Sequence, residues 1–185
     1  NGYRVKISEP DNYLEKNIKM FKPNVIFNAL HGQFGEDGYI QTILDKFKIP
    51  YTHSGAIASS IAMDKEISKK LFIKNKIKTP KFFTYSYEIT KSNLIEKINK
   101  DLRFPVVIKP LNEGSSVNVF ITNKKTLDKT LHKLKVYKKV LIEEFIGGRE
   151  IQVAIMGDKK LGAIELKPKR KSYDYRAKYD TNAKT

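Results

Sequence analysis

The sequence predicts an α/β module followed by an α+β module. Three observations carry this. Over the first 76 residues, apolar runs of strand length alternate with segments of helical period, the order that builds a parallel sheet. From Phe82 onward strands are joined by turns as well as by helices, which points to an α+β arrangement. The 185 residues, 40% hydrophobic and 11% aromatic, suffice for one large domain or two small ones with cores of their own. The change of texture places the start of the second module near Asp64.

Tyr3 to Ile7 alternates and reads as a strand. Leu14, Ile18 and Phe21 recur at helical spacing over Asn12 to Phe21, and Pro23 ends that helix. Val25 to Leu30 reads as a buried strand, Tyr39 to Phe47 as a helix with Ile40, Ile43, Leu44 and Phe47 on one face. Ile49-Pro50-Tyr51 opens a short connection to Ser54-Gly55. Ala56 to Lys76 is helical, either continuous or in two pieces with Asp64 capping the second. Leu94 to Ile98 reads as a short helix, Val106 to Ile108 and Val117 to Ile121 as strands, Thr126 to Tyr137 as a helix with Leu127, Leu131 and Leu134 inward. Val140 to Glu143 is a strand, and Ile151 to Met156, Gly157-Asp158 and Leu161 to Leu166 form a hairpin.

Bulk composition excludes some classes and leaves others open. There is no cysteine, hence no disulfide and no thiolate metal site, which fits a reducing compartment. No apolar run approaches the roughly 20 residues that span a membrane. The net charge of +16 invites a nucleic-acid reading. The lysines are scattered along the whole chain and no nucleic-acid motif accompanies them, so a solvated lysine surface explains most of the charge and anionic ligands the rest. The chain opens on Asn1 and stops in polar sequence at Thr185, which reads as an internal piece of a longer protein.

The stretch Asn28 to Gly38, N-A-L-H-G-Q-F-G-E-D-G, sits where a strand turns into a helix. Open α/β proteins bind ligands at such carboxyl ends of strands, and helix N-termini offer N–H groups to anions. A tight turn needs one or two glycines; three with a histidine favour a ligand site. Lys65 falls at a helix start or on an apolar stripe, and reads equally as a snorkelling surface lysine. Lys109 ends a strand, and the small, hydroxyl-bearing turn Glu113-Gly114-Ser115-Ser116 follows; successive N–H groups there can form an anion nest beside a lysine point charge. Glu143 and Glu144 end a strand and Glu150 follows Gly147-Gly148-Arg149; such carboxylates either accept from a nucleoside or sit in solvent paired with lysines. Tyr173 to Tyr179 is polar, aromatic and aperiodic, like a covering loop.

In this order the blocks resemble the D-alanine–D-alanine ligase family of the ATP-grasp superfamily, along essentially the whole chain. They are Leu30-His31-Gly32 with Gly35-Glu36-Asp37-Gly38, Ile49-Pro50-Tyr51 and Ser54-Gly55, Ala62-Met63-Asp64-Lys65, Val107-Ile108-Lys109-Pro110, Glu113-Gly114-Ser115-Ser116-Val117, Leu141-Ile142-Glu143, Gly148-Arg149-Glu150 and Tyr173-Asp174-Tyr175 with Ala177-Lys178-Tyr179. The resemblance implies a parallel-sheet N-terminal domain over residues 1–63, lacking its first strand. A central ATP-grasp lobe over 64–150 and the start of a C-terminal lobe with its lid loop over 151–185 would follow.

It also implies roles. Lys65 and Lys109 would hold the ATP α- and β-phosphates, and Gly114, Ser115 and Ser116 would form the loop over the triphosphate. Glu143, with the backbone from Glu144 to Ile146, would read adenine, and Glu150 the ribose. Lys178 would reach the γ-phosphate, and Tyr179 would bond across to Ser115. His31 would line the substrate end, oriented by Glu36. The implied reaction phosphorylates one D-alanine carboxylate with ATP and lets the amine of a second D-alanine expel phosphate. The implied setting is a cytoplasmic homodimer making peptidoglycan precursors, without nucleic-acid or membrane partners. Mg2+ is implied too, with its Asp, Glu and Asn ligands beyond Thr185, so no metal ligand is assigned within the chain. Alone, this piece would be inactive.

Two positions depart from the family's pattern: His53 stands where glycine is usual, and Arg176 replaces a glutamate in the lid loop. Sister ligases that join D-alanine to D-lactate or D-serine are the near alternative, although Tyr175 to Tyr179 resembles the dipeptide-forming enzymes more. A non-catalytic ATP-grasp protein or a nucleic-acid-binding protein are the others.

Overall fold

The computed structural model describes residues 2–167. The chain divides into two compact units, one running to Ser68 and the other starting at Lys69. Tyr173 to Tyr179, with Lys178 and the Arg176 departure, lies outside the described residues.

In the first unit α1 spans Leu14–Phe21, α2 Tyr39–Lys46 and α3 Ala56–Met63. Ile18, Ile40 and Leu44 form its core, with Leu14, Ile26, Leu30, Phe47, Ile49 and Tyr51 packed around them. Helical spacing singled out Leu14, Ile18, Ile40, Leu44 and Phe47 among these. Helix α1 stops because Lys22 turns left-handed (φ 49°) and returns its N–H to Ile18 O, with Pro23 next. The expected strand at Val25 to Leu30 narrows to one parallel bridge, Ile26 to Tyr51: Ile26 N–H donates to Pro50 O (2.9 Å) and Thr52 N–H to Ile26 O (3.1 Å).

Tyr3 to Ile7 does not form the expected strand. Alternation yields a strand only beside a partner edge, and no described segment pairs with this one. Tyr3, Val5 and Ile7 are exposed, and Arg4 instead donates to Phe21 O (2.9 Å) while stacking on the Phe21 ring.

The long helix from Ala56 is broken in two. Asp64 leaves the helical region (ψ 106°) and its Oδ1 accepts from Ile67 N–H at 3.0 Å, the N-cap geometry that starts α4, Lys65–Lys74. Of the two alternatives that the sequence left open, the capped break is the one adopted.

The second unit is built on an antiparallel sheet of β1 (Phe82–Ser86), β2 (Val106–Pro110), β3 (Phe120–Thr122) and β4 (Lys139–Glu144), in the order β1-β4-β2-β3. Helices α5 (Lys91–Asp101) and α6 (Leu127–Leu134) supply Leu94, Ile98, Leu127, Leu131 and Leu134 to a core shared with Val106, Ile108, Val140 and Ile142. Strand β1 carries no clear alternation and is not foreseen by periodicity. The strand expected from Val117 starts only at Phe120, because residues from Ser115 to Asn118 are used in a turn.

A two-stranded antiparallel hairpin follows, β5 (Glu150–Met156) and β6 (Lys159–Leu166), turned at Gly157-Asp158 as expected. Ile151, Val153, Ile155, Leu161 and Ile164 on it are exposed. Among the described residues no helix is long and apolar enough to cross a membrane.

Candidate functional site

Two sets of residues carry chemistry, one in each unit. The first is the turn from Asn28 to Gly38. Asn28 is buried and organises it: its side-chain amide donates to Gly35 O (3.0 Å), its Oδ1 accepts from Leu30 N–H (3.0 Å), and its own N–H donates to Thr52 Oγ1 (2.9 Å). Gln41 from α2 adds a second amide to Gly35 O at 2.8 Å. Glu36 accepts from Gly32 N–H (2.6 Å), and Asp37 accepts from Phe34 N–H (2.9 Å) and Tyr39 N–H (3.0 Å).

Glycine is required here for the backbone itself. A Cβ on Gly38 would meet Ala56 O at 2.5 Å, and one on Gly35 would meet Leu30 Cβ at 2.4 Å. The abundance of glycine that suggested a ligand therefore has a local cause as well. His31 is the open group of the turn, its side chain 74% exposed. Its Nδ1 stands 3.8 Å from Glu36 Oε1, an ion-pair spacing too long for a hydrogen bond.

His53 adopts the left-handed conformation (φ 79°) that its glycine-like position demands. Its Nε2–H donates to Asn28 O at 2.7 Å, so the imidazole ties this strained residue back to the turn. An open cavity of about 510 Å³ in the same unit is lined by Asp37, Tyr39, Thr42, Ile57 and Ser60.

The second set lies on the sheet of the other unit. Strand period two sends Val106, Ile108, Val140 and Ile142 into the helix-covered core, so Lys109, Leu141 and Glu143 point to the opposite face. Lys109 pairs in register with Leu141 and Glu143 with Val107, which makes Lys109 and Glu143 diagonal neighbours. They form an ion pair between Lys109 Nζ and Glu143 Oε1. Glu143 Oε2 accepts from Lys69 Nζ at 2.8 Å. Lys69 also donates to Thr79 Oγ1 (2.7 Å) and lies over the Phe82 ring, 5.0 Å from its centroid. The Lys69 and Glu143 side chains are each 8% exposed, that of Lys109 20%.

Glu143 differs from the solvent-facing glutamate that one reading of its strand end described. It is paired with lysines, but buried. A carboxylate offers about four acceptor directions, so the two lysines do not exhaust it. Glu144 at the end of β4 is half-buried and its N–H donates to Lys81 O (2.9 Å); Ile146 and Glu150 are exposed. Past β2, Ser115 and Ser116 both take left-handed backbones (φ 47° and 60°), closed by Val117 N–H to Gly114 O at 3.0 Å. Consecutive residues of this kind turn their N–H groups toward one concavity. Lys65 occupies the first turn of α4, in the first unit.

Sequence reasoning missed Lys69. It lies among Lys65, Lys70 and Lys74 on α4, and nothing in the string separates it from these less buried neighbours except its spacing of four from Lys65. Among the described residues no three His, Asp or Glu side chains gather as a metal site.

Comparison with known proteins gives the family. Residues 4–54 match the model for the D-ala D-ala ligase N-terminus, and residues 71–185 that for the C-terminus. The D-alanine–D-alanine ligase of Pelagibacter ubique is 68% identical over 185 residues, all of this chain and 61% of that protein. The enzyme of Zymomonas mobilis is 43% identical, across 96% of this chain and 56% of that protein. Crystal structures of the Bacillus anthracis enzyme superpose with a TM-score of 0.77 (34% identity, 95% of this chain, 57% of that one) and, complexed with ATP, of 0.71 (30% identity, 91% and 55%). The chain spans little more than half the length of the relatives it matches. Its mixed α/β units are those of an N-terminal domain and part of an ATP-grasp domain, and it belongs to the D-alanine–D-alanine ligase family.

Proposed function

We propose that the full-length protein carrying this chain is an ATP-dependent ligase that joins two D-alanines for peptidoglycan precursor synthesis. The observation that carries this is 68% identity across every residue to a D-alanine–D-alanine ligase. The lysine–carboxylate cluster and the Ser115-Ser116 turn that follows β2 support it, because phosphoryl transfer needs fixed cations and N–H donors around phosphate oxygens.

In this reading Lys65, Lys109 and Lys178 bind the triphosphate and Gly114, Ser115 and Ser116 fold over it. Glu143, Glu144 and Ile146 receive adenine, and Glu150 the ribose. His31, with Glu36, lines the D-alanine end, and Tyr179 closes on Ser115 to keep water from the acyl phosphate. The ATP-grasp domain begins at Asp64, its central lobe running to Glu150. The enzyme works in the cytoplasm as a homodimer. Mg2+ accompanies the ATP; the described residues offer no cluster that fits it, and none of these roles depends on it.

Phosphate release from the full-length protein, coupled to a colour reaction, tests the reading. D-alanine alone should sustain turnover with ATP, and D-lactate or D-serine as second substrate should add little. Turnover only with D-lactate or D-serine would reassign the second substrate. No ATP consumption with any of them would refute a ligase.

A further inference from the structure

Lys69 is the one residue of the lysine–carboxylate cluster to which neither the sequence nor the proposed reaction gives a task. We propose that Lys69 is a positioning residue that takes up the charge of Glu143 so that Lys109 keeps a surplus positive charge for the phosphates of the nucleotide. The inference rests on the nucleotide reading of this site and adds the means by which it stays receptive to an anion.

In the described Lys69–Glu143 and Lys109–Glu143 ion pairs, two ammonium groups face one carboxylate, so these three groups together carry one positive charge in excess. A buried ion pair that balances gains nothing from an incoming anion, whereas an excess charge in a poorly solvated place is stabilised by one. The excess is also directed. Lys69 is the deeper lysine, held by the Thr79 hydroxyl, by Glu143 Oε2 and by the face of Phe82. Three contacts around one ammonium, with 8% of the side chain exposed, leave it no path to a ligand. Lys109 is the more open of the two. Glu143 is therefore anchored from below, and Lys109, which shares it from above, retains charge toward the outside.

Without Lys69 the cluster becomes a closed pair: Glu143 and Lys109 neutralise one another and the phosphate site loses its excess. Lys69 would then matter to ATP and not to a ligand without phosphates, although it touches neither. A purely structural lysine would not make that distinction, because loss of packing under the sheet weakens every ligand of the site alike.

The test measures dissociation constants for ATP and for adenosine in the full-length protein. Lys69→Met should weaken ATP by about tenfold or more while adenosine stays within about twofold. Lys69→Arg, which keeps the charge, should restore the wild-type ratio of the two affinities. Equal weakening of ATP and adenosine, or an unchanged ATP affinity, would overturn the proposal.

Lys109→Ala, measured alongside, separates the two levels of the reading. If Lys109→Ala loses ATP and Lys69→Met does not, the positioning role falls and the nucleotide site stands. If neither loses ATP, the nucleotide site itself is misassigned. Should Lys69→Met alone fail to fold, Lys69→Met combined with Glu143→Gln removes both buried charges and leaves Lys109 with one surplus charge. The proposal then requires a near-wild-type ATP-to-adenosine ratio, and a collapsed ratio contradicts it.

Discussion

The Asn28–Gly38 turn and the Lys69–Lys109–Glu143 cluster are built on opposite electrostatic plans. In the turn, polar groups close on their own chain: Glu36 on Gly32, Asp37 on Phe34 and Tyr39, Asn28 on Leu30 and Gly35. Its product is a fixed backbone with one exposed imidazole. In the cluster, two lysines share one buried carboxylate, so the three groups carry a net positive charge. In the proposed reading the first region would offer shape to a small substrate and the second charge to a polyanion. That division fits a ligase, which must hold a neutral zwitterion and a triphosphate at once.

If the contrast is right, the largest effect follows from the cluster. Lys109→Ala in the full-length protein should lower kcat/KM for ATP by roughly 10²–10³-fold; steady-state kinetics at saturating D-alanine read it, and an unchanged value would remove this lysine from the site. Gly38→Ala attacks the turn instead. The new Cβ would strike Ala56 O, at a φ of 94°, so the first unit should lose about 2 kcal/mol or more on denaturant unfolding. A variant as stable as wild type would show that the turn tolerates what its geometry forbids.

His53 sharpens the comparison at smaller scale. His53→Ala keeps the left-handed strain and loses the bond to Asn28 O, for a cost of about 1 kcal/mol. His53→Gly loses the same bond but relieves the strain and should fall nearer to wild type. The reverse order in thermal melts would mean that the hydrogen bond is not what holds this residue.

Titration gives the gentlest tests. Burial, with the neighbouring Tyr85 next, pushes the Tyr87 phenol up to about 12 from an ordinary 10.0, and its hydroxyl donates to Leu131 O. A pKa raised on folding means that the folded state holds its proton longer. Its contribution is complete below pH 10 and lost as pH rises from about 10 to about 12, so alkaline unfolding should steepen there and Tyr87→Phe should flatten it. On the hairpin, Arg149 grips both oxygens of Glu165 (3.0 and 2.9 Å) and holds its carboxyl below the usual range. That contribution is present above the ordinary carboxylate pKa and fades as pH falls through the lowered one. Carboxyl NMR of Glu165 should show a lowered midpoint that Arg149→Gln returns to normal.

Much of this was legible in the string. Helical spacing found Ile18, Ile40 and Leu44, the Asp64 cap is a local signal, and Gly157-Asp158 announces its hairpin. The blocks of the resemblance placed Lys109 and Glu143 in one site before any geometry. What escaped depends on partners distant in sequence. Tyr3 to Ile7 alternates perfectly well, but a strand exists only with an edge to join. Lys69 meets Glu143 across 74 positions through a helix, a strand register and a ring at Phe82. No local pattern marks one lysine of a lysine-rich helix as the buried one. The glycines of the turn are ambiguous in the string, since close backbone packing at Gly35 and Gly38 calls for glycine whether or not a ligand binds there.

The most direct test of the account is a crystal structure of the full-length protein with a non-hydrolysable ATP analogue. It should show phosphate oxygens within hydrogen-bond reach of Lys109, with Lys65 and Lys178 on the same triphosphate and adenine beside Glu143. A nucleotide bound elsewhere, with these lysines left in solvent, would contradict it.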